Sequence, residues 1–160
     1  DNGDLKITAF KVIHEPIEPS LGYKFEYKGR SLVITGDTSY AQSVIDNSMD
    51  VDLLFHEAQA NHMVDVLQNF AEENGAVLRA KVMADIKTYH TTLLEAAEIA
   101  NKANVKQLVF YHLTPAPRNY LTELIFVRGV DEIRDNWILA EDDLLIILPV
   151  DSEEIIYSNM

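Results

Sequence analysis

The chain has 160 residues, 13 basic against 26 acidic side chains, a formal charge of −13, 48% hydrophobic residues and no cysteine. That length holds one domain with its own core, and the acidic excess repels phosphate backbones unless a local basic patch offsets it. Without cysteine, disulfides and thiolate metal sites are excluded, so any metal is held by histidine and carboxylate.

No apolar run is long enough to cross a membrane, and the cytoplasm is the default compartment. The chain starts at Asp1 rather than Met. A removed leader and a piece of a longer protein are both open readings.

Leu5 to Ile13 alternates as a half-buried strand and ends at His14. Glu15 to Leu21 contains Pro16 and Pro19 and is expected to be a loop. Gly22 to Tyr27 alternates aromatic with charged residues, Lys28-Gly29-Arg30 reads as a turn, and Ser31 to Thr35 as the returning strand of a hairpin. Gly36-Asp37-Thr38 follows at once, so a buried strand delivers a carboxylate to a sheet end. Taken alone, Asp37 could equally cap the turn or the short helix expected over Ser39 to Asp46.

Val51 to Phe55 is expected to be a strand with His56-Glu57-Ala58 at its end. Met63, Val66, Leu67, Phe70 and Ala71 fall at helical spacing within 61–79. Thr91 to Ala103 is the best-patterned helix, with Thr near its start and Lys102 in its last turn. Val105 to Tyr111 reads as a strand ending at His112, followed by a Pro-stiffened loop and a helix over Asn119 to Val127. Leu144 to Leu148 and Glu154 to Tyr157 are expected as terminal strands, with Trp137 packing near them.

His14, Asp37, His56 and His112 each follow an apolar strand directly, and His90 precedes the best helix. Side chains so placed can converge on one edge of a sheet. Three histidines and an aspartate form a nitrogen and oxygen donor set for zinc, or for manganese or iron with added carboxylates. His62 has no such context and is expected on a helix surface.

These residues, in this order, resemble the metallo-β-lactamase fold, in its ribonuclease Z-like branch. The resemblance rests on Thr8-Ala9-Phe10 through His14, Gly22-Tyr23, Gly36-Asp37-Thr38, Leu54-Phe55-His56-Glu57-Ala58, His90-Thr91-Thr92 with Glu95-Ala96-Ala97, and Leu108 to His112. It implies an α/β (α+β) fold, the second half of an αββα sandwich, with a mixed sheet and helices on one face. It implies a metal-dependent hydrolase with two divalent metals, zinc first and manganese or iron as alternatives. By that resemblance His14, Asp37 and His112 are metal ligands, with Asp37 bridging. His90 donates a proton to the leaving oxygen, Glu57 orients His90, and His56 and Thr38 support them from behind. Arg118 is a candidate for binding an anionic substrate.

Two departures shape the expectation. The family's His-x-His-x-Asp-His motif is absent, since no two histidines here are two residues apart. The chain is therefore expected to be a single partial domain over 1–160, lacking the half that carries that motif, inactive alone and prone to self-associate as a homo-oligomer through the surface that half would cover. Second, His14 and Asp37 lie only 23 residues apart, without room for a long tRNA-gripping arm, and Leu-Thr-Pro-Ala-Pro-Arg follows His112. With the negative charge, this argues against tRNA and for a small phosphodiester or sulfate ester. The alternative is a degenerate, non-catalytic binding or dimerisation module of the same fold.

Overall fold

The computed structural model describes residues 3–159. Its elements in chain order are β1 (Leu5–His14), β2 (Ile17–Tyr27), β3 (Arg30–Ile34), α1 (Gln42–Asn47), β4 (Leu53–Gln59), α2 (Asn61–Glu73), α3 (Val77–Ile86), α4 (Leu93–Lys102), β5 (Gln107–Thr114), α5 (Tyr120–Phe126), β6 (Trp137–Leu139), β7 (Leu144–Ile147) and β8 (Ile156–Asn159). The first six strands form one sheet in sequence order, and β7 and β8 pair separately. β1, β2 and β3 are antiparallel neighbours, whereas β3 to β6 run parallel. This is the expected mixed sheet in an α/β chain. Among the described residues no helix is long and apolar enough to cross a membrane.

The hairpin forms as the pattern predicts. Tyr27 pairs with Arg30, and Lys28 and Gly29 both have positive φ, the turn that matches the twist of antiparallel strands. The expected loop over 15–21 shrinks to a turn at Glu15-Pro16, because β2 begins at Ile17, opposite His14. The ladder slips between Val12 and His14, and that irregularity accommodates Pro19 inside a strand. The expected helix over 61–79 is two helices, divided where Gly75 takes φ 68. β6, missed in the sequence, carries Trp137 beside the parallel strands, its ring 5.8 Å from that of Phe110.

Alternation sorts the strand side chains onto two faces. Val33, Leu54, Ala58, Leu108 and Phe110 pack against Leu93, Ala96, Ala97, Ile99 and Ala100 of α4. Three alanines on that helix let its backbone sit close to the sheet. Thr92 caps α4 in a reciprocal box with Glu95, which satisfies two otherwise unpaired amides. The opposite face carries Ile7, Phe25, Tyr27 and Leu32, paired across β1 to β3. It is much less covered: Ile7 is 53% and Tyr27 43% exposed.

At the end of the sheet away from the strand-end histidines, buried Arg30 pairs with buried Asp52 at 3.1 Å. The same guanidinium donates to the carbonyls of Pro149, Ser152 and Glu154, fastening the C-terminal segment to β3. Burial would push the Asp52 carboxyl up. Hydrogen bonds from the Ser31 amide and Lys106, with the charge of Arg30, outweigh it and hold the carboxyl below its ordinary 3.8. A depressed folded-state value stabilises the fold above the unfolded-state value and is lost as pH falls through the folded one. Asp52→Asn should therefore cost about 3–5 kcal/mol at pH 7 in urea unfolding. Its deficit relative to wild type should shrink as pH falls below 3.8.

Candidate functional site

Gly36 ends β3 with φ 65, and a β-carbon there would lie 2.9 Å from the Leu21 carbonyl oxygen. Only glycine makes this turn without strain, and the turn sets Asp37 at the carboxyl end of the sheet. Thr38 then stitches the loop down. Its hydroxyl accepts from the Ile13 amide at 3.1 Å, and Ser39 N–H donates to the Ile13 carbonyl at 2.7 Å. The backbone beside His14 is thereby fixed against the backbone beside Asp37.

Glu57 is fully buried on β4, and its Oε1 accepts three hydrogen bonds. The Thr38 amide donates at 3.0 Å, the Thr91 amide at 3.2 Å and His90 Nδ1–H at 2.8 Å. The Thr91 hydroxyl also donates to the Thr38 carbonyl at 2.5 Å. The other carboxylate oxygen, Oε2, is buried and has no hydrogen-bond partner among the described residues. A carboxylate only accepts, so His90 carries its proton on Nδ1 in this pair. Burial pulls the His90 imidazole down, but the Glu57 hydrogen bond and the charges of Glu57 and Asp37 outweigh it and raise the group above 6.5.

His14 donates Nδ1–H to the Tyr89 carbonyl at 2.9 Å, which leaves Nε2 as its open donor atom. His112 sits at a slip in the β4–β5 ladder, where Glu57 pairs with Tyr111 but Ala58 with Leu113. It takes φ 47. A bulge of this kind re-aims one side chain, and His112 Nδ1 lies 3.2 Å from Asp37 Oδ1. The rings of His14 and His90 are 5.1 Å apart, and those of His90 and His112 are 5.8 Å apart.

Two groups of metal-capable atoms fall within 4.8 Å of one another: His14, Asp37 and His90; and Glu57, His90 and His112. His14, Asp37 and His112 do not form one such group together. Asp37 is nonetheless close to each of the other two, 3.2 Å from His112 Nδ1 and within 4.8 Å of His14. The nitrogen and oxygen donors of His14, Asp37 and His112, with the His14 ring held from behind by the Tyr89 carbonyl, fit a divalent metal.

Residues 1–113 match the family described as Beta-lactamase superfamily domain. The chain belongs to that family. It is 36% identical over 119 residues to Ribonuclease Z of Bacteroides fragilis, covering 74% of this chain and 33% of that protein. It is 40% identical over 98 residues to Ribonuclease Z of Gemmatimonas aurantiaca, covering 61% of this chain and 26% of that protein. The chain thus spans about a third or less of the length of these two relatives. Among solved structures, the metallo-beta-lactamase fold protein YhfI from Bacillus subtilis superposes with a TM-score of 0.58 at 22% identity, over 86% of this chain and 47% of that one. At that identity it speaks to the fold alone. The argument against tRNA drawn from loop length and charge gains no support from relatives that bear the name Ribonuclease Z.

Of the residues singled out in the sequence, His14, Asp37, Thr38, Glu57, His90 and His112 converge at one sheet end. His56 does not point there. Its ring shares the α4 face with Leu54 and Ala58, fully buried, and Nδ1–H donates to the Glu57 carbonyl at 2.8 Å. It touches the Glu57 backbone from the other side of the sheet, and burial lowers its pKa. Arg118 lies apart, in a groove beside α2 and α5. Tyr89 was missed: its carbonyl holds His14 and its ring packs on His14 and His90 at 5.0 and 5.1 Å. An aromatic residue directly before His90 was the available signal. In chelator-treated protein, Glu57→Gln keeps an acceptor for the Thr38 and Thr91 amides but removes the charge beside His90. Histidine titration by NMR should show the His90 pKa falling relative to wild type.

Proposed function

We propose that this chain supplies half of the centre of a metal-dependent phosphodiester hydrolase. In this reading residues 1–160 are one partial domain, and further ligands come from a segment outside this sequence that carries the His-x-His-x-Asp-His motif. The observation that carries it is Asp37 close to both His14 and His112, beside a His90 held by Glu57. His14, Asp37 and His112 would hold two divalent ions, zinc by preference, with Asp37 shared. Bound there, the metals supply a water of lowered pKa and polarise the phosphoryl oxygens.

The protein groups do the rest. Glu57 fixes the His90 tautomer and ring plane, so Nε2 is the position from which a proton passes to the leaving oxygen. The hydrogen bond and charge of Glu57 favour a proton on His90. Thr38 and Thr91 anchor Glu57, so the acid keeps its place while the leaving group departs. The uncovered face of β1 to β3 supports the half-sandwich reading, since such a face calls for a second layer. In isolation that face would draw copies of the chain together. A small phosphodiester or sulfate ester is the substrate class proposed here. RNA is the second reading, favoured by the names of the relatives.

In the full-length protein, His90→Ala should lower kcat for bis(4-nitrophenyl) phosphate by about 10²–10⁴-fold with metal content unchanged by mass spectrometry. Equal loss of metal would reassign His90 as a ligand. The 160-residue chain alone should bind zinc weakly by calorimetry, because affinity falls with each missing ligand. Tight binding of two ions would overturn the half-site.

A further inference from the structure

α2 and α5 leave the carboxyl ends of neighbouring parallel strands, β4 and β5, which carry Glu57 and His112. Their bases are tied by the Ala60 amide, which donates to the Thr114 carbonyl at 2.8 Å. Farther out, His62 Nε2–H donates to the Ile125 carbonyl at 2.8 Å. Between these two ties the helices enclose a groove of about 680 Å³, within the range of small-molecule sites.

The groove wall is apolar. Met63, Val66 and Leu67 of α2 face Ile125 of α5, and Pro115, three residues after His112, closes the end toward the strand. Val66 is 66% and Leu67 44% exposed, so the middle of the helical stripe expected from the sequence lines this groove, while Met63 also packs on the core and Ala71 is buried. No acidic residue lines it, in a chain of charge −13. Its one cation is Arg118, whose guanidinium makes no ion pair or hydrogen bond among the described residues. An apolar trough with a free guanidinium and no carboxylate selects an organic anion with an apolar body.

We propose that this groove seats the leaving-group side of the ester, an apolar body of aryl size that carries an anionic group of its own besides the ester oxygen that His90 protonates. The inference rests on the hydrolase reading for its chemistry, but not for the binding itself. Pro115, three residues after His112, lines the groove, so one short loop joins the strand that carries His112 to the groove wall. His90 faces the strand-end site from its bond to Glu57.

The test uses the full-length protein and 2-naphthalenesulfonate, an aryl anion that ligates metal poorly, followed by its fluorescence. Val66→Glu and Arg118→Ala should each weaken binding by about tenfold, and Asp37→Asn should leave it unchanged. In turnover, Val66→Glu should lower kcat/KM for a 2-naphthyl phosphodiester by about tenfold while leaving that for a methyl phosphodiester unchanged. If no ester is hydrolysed, the hydrolase reading fails while the sulfonate titration still judges the groove. Unchanged affinity in both groove variants overturns the proposal. So does loss of sulfonate binding in Asp37→Asn, which would move the probe to the metal site. A molar mass that falls in Val66→Glu by sedimentation would overturn it too, by assigning the groove to a second copy.

Discussion

One carboxylate oxygen sets the geometry of the strand-end site. Glu57 Oε1 takes hydrogen bonds from the Thr38 amide, the Thr91 amide and His90 Nδ1. These donors belong to the loop after β3 and to His90-Thr91 on the approach to α4. Buried, low-dielectric surroundings strengthen each bond and penalise the loss of any. Thr38 passes the constraint to β1 through the Ile13 amide, and so to His14. The relative positions of His14, Asp37 and His90 thus follow from a single side chain that sits within the sheet.

The two ends of the sheet divide the work. At one end Arg30 and Asp52 are buried, mutually paired, and tied to the C-terminal segment. At the other, the polar groups are gathered but only partly satisfied: Glu57 Oε2 has no hydrogen-bond partner among the described residues, and His14 is held through Nδ1 by the Tyr89 carbonyl. A rigid platform held at its far end can carry such groups, because their cost is spread over a stable core.

Much of this was legible in the sequence where the cause is local. Gly36 before Asp37 announces a turn that only glycine makes easily, and Thr92 with Glu95 announces a helix start. The strand-end positions of His14 and His112 follow from apolar runs that stop. What escaped depends on tertiary partners. β6 has three residues and exists because Leu108 to Phe110 offer it a parallel edge. The bulge at His112 is a property of the β4–β5 ladder and leaves no mark in composition. His56 follows an apolar strand as the other histidines do, but alternation along β4 sends its ring to the helix face. The Met63, Val66 and Leu67 stripe has a core-like period, and periodicity alone does not say which apolar face is covered.

The central claim is that His90 is held by Glu57 for proton transfer while His14, Asp37 and His112 take the metal. Anomalous diffraction from crystals of the zinc-loaded full-length protein tests it most directly. The account predicts zinc at about 2.0–2.2 Å from His14, Asp37 and His112, with Asp37 shared and His90 Nδ1 still on Glu57. Zinc coordinated by His90, or by Glu57 Oε2, would contradict it.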